Sequence, residues 1–150
     1  MGKWLPASND RSYVLQINTS QRPIFMISGD GSAVYQIISP VVMSGSAGRY
    51  HFLCGRFETV GTDEIHIFVS KNVDILGKHN ELEKTTNSTS IPASIFDSAS
   101  DFTIGAEHGG INPLVNGRIA LAFLCATGLT DATIGALYQL SRPLFKQTLT

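Results

Sequence analysis

The sequence predicts an all-β domain, an antiparallel β-sandwich with one short helix near the C-terminus. Three observations carry this reading. Short apolar runs alternate with period two, as in Tyr13-Val14-Leu15-Gln16-Ile17 and Ile65-His66-Ile67-Phe68-Val69. Clusters of Gly, Asn, Asp and Ser separate those runs at the spacing of strand-connecting turns. Only residues 130–140 carry the i, i+3, i+4 apolar spacing of a helix.

Taken in order, residues 13–17 form a first strand, closed by the turn at 18–21. Pro23-Ile24-Phe25-Met26-Ile27-Ser28 follows, and Gly29-Asp30-Gly31-Ser32 is a hairpin signal leading to a return strand over 34–39. Residues 50–57 read as a central strand. On the next strand Ile65, Ile67 and Val69 share one face while His66 and Phe68 share the other. The stretch 71–94 is rich in Asn, Ser, Thr and Lys, so it reads as a surface loop with room for one short strand. Residues 102–105 form a short strand before the glycine-rich loop 106–116. Arg118-Ile119-Ala120-Leu121-Ala122-Phe123-Leu124-Cys125 is apolar on both faces, and a strand of that kind needs cover on both sides. In the helix, Thr130 is the cap, Asp131 favours the first turn, Leu129 and Ile134 form a staple, and Ile134, Leu137 and Tyr138 share a face.

The chain of 150 residues fits a single domain over 1–150, large enough to bury a core without staples. Charged residues make up 15%, against about a quarter in ordinary soluble domains, which suits a surface partly covered by other subunits. The net charge is -1, from 11 basic and 12 acidic residues without clusters. Nucleic acid is therefore not an expected partner, and neither is insertion into a membrane. The start, Met1-Gly2-Lys3-Trp4-Leu5-Pro6, lacks the apolar core of a secretory signal, so the sequons at Asn18 and Asn87 read as chance. Cys54 and Cys125 sit in apolar runs. They read as two buried free thiols, with a disulfide between central strands as the alternative.

The order of these pieces resembles the laminin-G/concanavalin-A-like superfamily of jelly-roll domains. The resemblance runs from about Asn9 to Tyr138. It is carried by Ile24-Phe25-Met26-Ile27-Ser28-Gly29-Asp30-Gly31-Ser32, by Gly48-Arg49-Tyr50-His51-Phe52, and by the ending Phe102-Thr103-Ile104-Gly105, Asn116-Gly117-Arg118-Ile119 and Leu129-Thr130-Asp131-Ala132-Thr133-Ile134-Gly135-Ala136-Leu137-Tyr138. Tyr50, Ser70-Lys71 and Ala120 depart from that family's pattern, and its members normally carry additional strands before the point where this match begins, which fits either a trimmed version or a fragment whose edge a neighbouring subunit supplies. The style is most similar to versions found in phage virion proteins. The resemblance implies a non-catalytic adhesion or carbohydrate-binding module on a virion surface or outside the cell, forming homo-oligomers. The rival reading is a structural capsid or tail decoration or assembly protein whose partners are other virion subunits.

Glycoside hydrolysis needs two carboxylates across one bond. Adjacent Asp63 and Glu64 would point to opposite faces of a strand, and Glu81 and Glu83 fall in the polar stretch. No nucleophile elbow precedes a helix, and His51, His66, His79 and His108 have no metal-ligand spacing. The expectation is a protein that is not an enzyme, with a trimmed glycosidase relative as a distant third reading. The candidate ligand-binding residues are Glu107, His108, Asn112 and Asn116, polar groups in a glycine-rich loop, with Tyr35 or Tyr50 as the aromatic face a sugar ring prefers. No cofactor is firmly implied. Calcium is the candidate ion, with Asp30, Asp74, Asp97 and Asp101 as its possible oxygen donors.

Overall fold

The computed structural model describes residues 1–43, 50–73, 79–106 and 118–145. Among these residues, eight strands form two antiparallel sheets. The first contains β1 (Gly2–Leu5), β2 (Asp10–Ile17), β3 (Pro23–Ile27), β4 (Tyr35–Ile38) and β8 (Phe102–Thr103), in the order β4-β3-β2-β1-β8. The second is the meander β5 (Leu53–Glu58), β6 (Glu64–Val73) and β7 (His79–Asn87).

Side-chain capping of the turns explains why the strands stop where they do. Asn18 Oδ1 accepts from the backbone N–H groups of Ser20 and Arg22, each at 3.0 Å, closing the β2–β3 connection. Asp30 accepts from Ser32 N–H at 2.8 Å and Ala33 N–H at 2.7 Å, a turn in which the carboxylate replaces a backbone acceptor. These bonds hold the Asp30 carboxyl below its ordinary range, the Ala33 amide first. Gly31 at φ 84 lies in the left-handed region, where a side chain would be strained.

The two sheets meet through one core. Phe25, Ile27 and Ile37 of the five-stranded sheet pack with Ile65, Ile67 and Val69 of β6 and with Ile91 beyond β7. Tyr13, Leu15, Tyr35, Leu53 and Phe57 surround them. The overlap is centred at one end, where β6 packs on β3 and β4, and β7 on β4. Residues on β6 point alternately to the core and away from it, so the predicted face of Ile65, Ile67 and Val69 is the buried inner face.

A third layer covers the other face of the three-stranded sheet. Helix α1 (Asp131–Ser141) begins at its N-cap Thr130, whose hydroxyl accepts from Thr133 N–H at 3.1 Å. Ile134 and Tyr138 are its buried residues, and the Tyr138 ring meets Phe52 at 5.6 Å. This helix explains why His66 and Phe68, on the outward face of β6, are buried as well. The sequence therefore folds as two antiparallel sheets with one C-terminal helix packed outside the smaller sheet.

Four expectations need correction. The 50–57 strand is an edge strand, not a central one, because among the described residues β5 pairs only with β6. The polar stretch after Lys71 contains the nine-residue β7, paired along β6 from Val73–His79 to Ile65–Asn87. Segment 118–125 forms no strand. It is exposed along its length, and Leu121 at φ 54 interrupts the extended path. Cys125 is exposed rather than buried, while Cys54 is half-buried, and both thiols are free.

Candidate interaction site

The predicted ligand loop, with Glu107, His108, Asn112 and Asn116, lies outside the described residues, as does Asp74 of the predicted calcium set. Of the remaining aspartates, Asp30 is committed to its turn, and the fully exposed Asp97 reaches Lys3 at 3.7 Å. Among the described residues no group of three or more His, Cys, Asp or Glu is placed to hold a metal ion. Tyr35 is partly buried and packs against the core. Glu81 and Glu83 both pair with Lys71, the first at 3.6 Å.

The densest polar chemistry lies on the helix-facing side of the three-stranded sheet. Strand register places Arg56 opposite His66 and His66 opposite Thr86, with Glu58 opposite Glu64 at the neighbouring position. Like charges directly opposed would destabilise the pair. Here Arg56 Nη2 lies 2.8 Å from Glu58, and His66 Nε2 lies 3.3 Å from Glu58 and 3.4 Å from Glu64. Those two imidazole contacts have ion-pair distance without hydrogen-bond alignment, whereas Nδ1 makes a 2.9 Å bond with the Thr86 hydroxyl. Burial, helped by the Arg56 and Lys84 cations, holds the His66 pKa below its ordinary value against the pull of both glutamates.

Arg56 joins this rung to the helix. Its side chain is 8% exposed, and Nη1 donates to the Leu129 carbonyl at 2.8 Å and to the Asp131 carboxylate at 2.6 Å. Lys84 Nζ donates to the other Asp131 oxygen at 2.8 Å. The two cations also lie over the Phe68 ring, at 5.5 Å and 5.7 Å from its centroid. Asp131 thus completes the first turn of α1, where a negative charge is favoured, and clamps that turn to β5 and β7.

A hydroxyl, an imidazole and carboxylates in sequence are the parts of an acyl-transfer triad. The carboxylates are off the line of His66 Nε2, and Arg56 and Lys84 are engaged with acidic partners within the cluster. The cluster holds the helix to the sheet. Sequence reasoning missed Arg56 and Asp131 as partners, although the period-two alternation of Cys54, Arg56 and Glu58 against Leu53, Gly55 and Phe57 marks the arginine as facing away from the core.

The surface available to a partner lies beside this cluster. Every residue from 118 to 128 is exposed. Within that strip Ile119 is 48%, Leu121 60%, Phe123 50% and Leu124 58% exposed. The strip connects two sheet margins. A Cβ on Gly105, just beyond β8, would lie 3.8 Å from Ile119 Cδ1. At the other end, a Cβ on Gly128 would lie 3.4 Å from the Phe57 carbonyl of edge strand β5 and 3.9 Å from the Arg56 methylenes. Phe102 and Ile104, also exposed, extend the apolar surface at the β8 end.

No family model, no curated protein and no solved structure matches this chain. The site is therefore read from its own chemistry. Among the described residues no helix is long and apolar enough to cross a membrane.

Proposed function

We propose that this chain is a non-catalytic assembly module, a β-sandwich that contacts protein through the apolar strip 118–128. One observation carries the reading: among the described residues, an apolar sequence lies outside both sheets and is exposed from end to end. Exposed apolar surface is unfavourable by roughly 25 cal/mol per Å², and a contiguous patch of this kind marks a contact surface. The charged cluster supports the same reading, because it fixes α1 and Leu129 and so anchors the C-terminal end of the strip.

The jelly-roll resemblance fits this role, since sandwich domains of that kind serve as decoration and assembly units as well as lectins. Glycan binding would rest on the 107–116 loop, outside the described residues, with the exposed Tyr50 as its aromatic candidate.

The test is native size-exclusion chromatography of gently opened source material. The wild-type chain is expected in a complex larger than its own 16.2 kDa, and Leu124→Asp is expected to shift it towards the free chain. Identical elution of both proteins would refute the assembly reading.

A further inference from the structure

We infer that the partner on this strip is a second copy of the same chain, related by a two-fold axis; the inference rests on the assembly reading above. Three observations select this occupant. The first is charge. From Ile119 to Thr130 there is no charged side chain, so the strip meets its own image without like-charge repulsion. The net charge of -1 adds little long-range repulsion between copies.

The second is geometry. A two-fold interface uses the same patch on both subunits, so the exposed segments on either side of the left-handed Leu121 can meet their own images. Residues 119–125 carry apolar side chains at successive positions, so a contact along them buries apolar groups from each copy. The same strip on a neighbouring copy, with exposed Phe102 and Ile104 beside it, supplies matching apolar cover.

The third is area. Six large side chains, Phe102, Ile104, Ile119, Leu121, Phe123 and Leu124, are between 41% and 60% exposed. With about 150–250 Å² for a full aromatic side chain, they offer roughly 600 Å² together. A stable complex buries about 800 Å² per partner, and the backbone of 118–128 supplies the remainder.

The experiment is sedimentation equilibrium on the purified full chain from ~1 µM to ~100 µM, a range that covers micromolar dissociation constants. The expected result is a rise from 16.2 kDa towards twice that mass, abolished in Leu121→Asp/Phe123→Asp. Circular dichroism must show the variant folded. Hydrogen exchange on the wild type gives an independent readout, with the amides of 118–128 gaining protection as concentration rises. A wild type that remains monomeric, with no concentration-dependent protection, overturns the second copy as occupant. If Leu124→Asp still shifts the native complex in that case, the assembly reading stands with a different protein partner; if it does not, both fall.

Discussion

The Phe25 ring of β3 fills the space that a side chain at Gly55 of β5 would need. A Cβ on Gly55 would fall 2.5 Å from Phe25 Cδ2 and 2.7 Å from Cγ. The smallest residue on the edge strand and one of the largest in the core are therefore fitted to each other across the two sheets. Gly55→Ala must displace a packed ring, and the expected loss is about 1–3 kcal/mol, the usual cost of overpacking. Phe25→Leu beside it should recover part of that loss, since residues in contact do not act additively. Urea unfolding of the two single variants and the double variant measures the coupling, and a neutral Gly55→Ala would contradict this packing.

Arg56→Met keeps the stem of the side chain and removes its links to Leu129, Asp131 and Glu58. Hydrogen bonds to charged groups are each worth about 1.5–3 kcal/mol, but the exposure of Glu58 and Asp131 discounts these. A net loss of about 1–3 kcal/mol is expected. Exchange of the amides at the start of α1 should rise, because this end of the helix is clamped by the arginine. Unchanged exchange there would show that Arg56 does not anchor the helix.

Acid should weaken the fold in two steps with different causes. Burial of His66, reinforced by Arg56 and Lys84, keeps its folded pKa below the ordinary 6.5. The unfolded chain therefore binds a proton that the folded chain refuses, and stability falls as pH drops below 6.5 through that window. Asp131 is held below its ordinary 3.8 by Lys84 first and by Arg56. Its contribution is present above 3.8 and is lost as pH falls towards the lowered value. His66→Gln should abolish the first slope and leave the second. Denaturant midpoints measured between neutral and acid pH decide this, and an unchanged slope in the variant would remove His66 as its source.

The two thiols should separate cleanly. Burial pushes Cys54 up to about 11, while Cys125 is exposed on the strip. The thiolate is the reactive form. In dilute native protein near pH 8, one thiol is expected to react promptly with a maleimide and the second only in denaturant. Peptide mapping should place the first label on Cys125, and a first label on Cys54 would contradict the burial pattern.

Local rules made much of this fold legible in the sequence. The alternation of Ile65, Ile67 and Val69 identified the inner face of β6, and Thr130 with Ile134 and Tyr138 identified the helix and its buried side. Strand β7 was hidden because residues such as Glu81, Lys84 and Thr86 resemble a loop. Their strand state comes from the ladder offered by β6 and from ion pairs such as Lys71 with Glu81 and Glu83. Strip 118–125 misled in the opposite direction. Its apolar pattern predicts burial, but burial is a property of the neighbours, and among the described residues no sheet takes it up. The clamp of Arg56 on Asp131 spans a separation of 75 residues that no local pattern encodes.

The most direct measurement is labelling of Cys125 by maleimide in gently opened source material, compared with the purified chain at high dilution. If 118–128 is an assembly surface, Cys125 is shielded in the native complex and labels rapidly in the dilute chain. Equal, rapid labelling in both settings would show that nothing covers the strip and would contradict the assembly role.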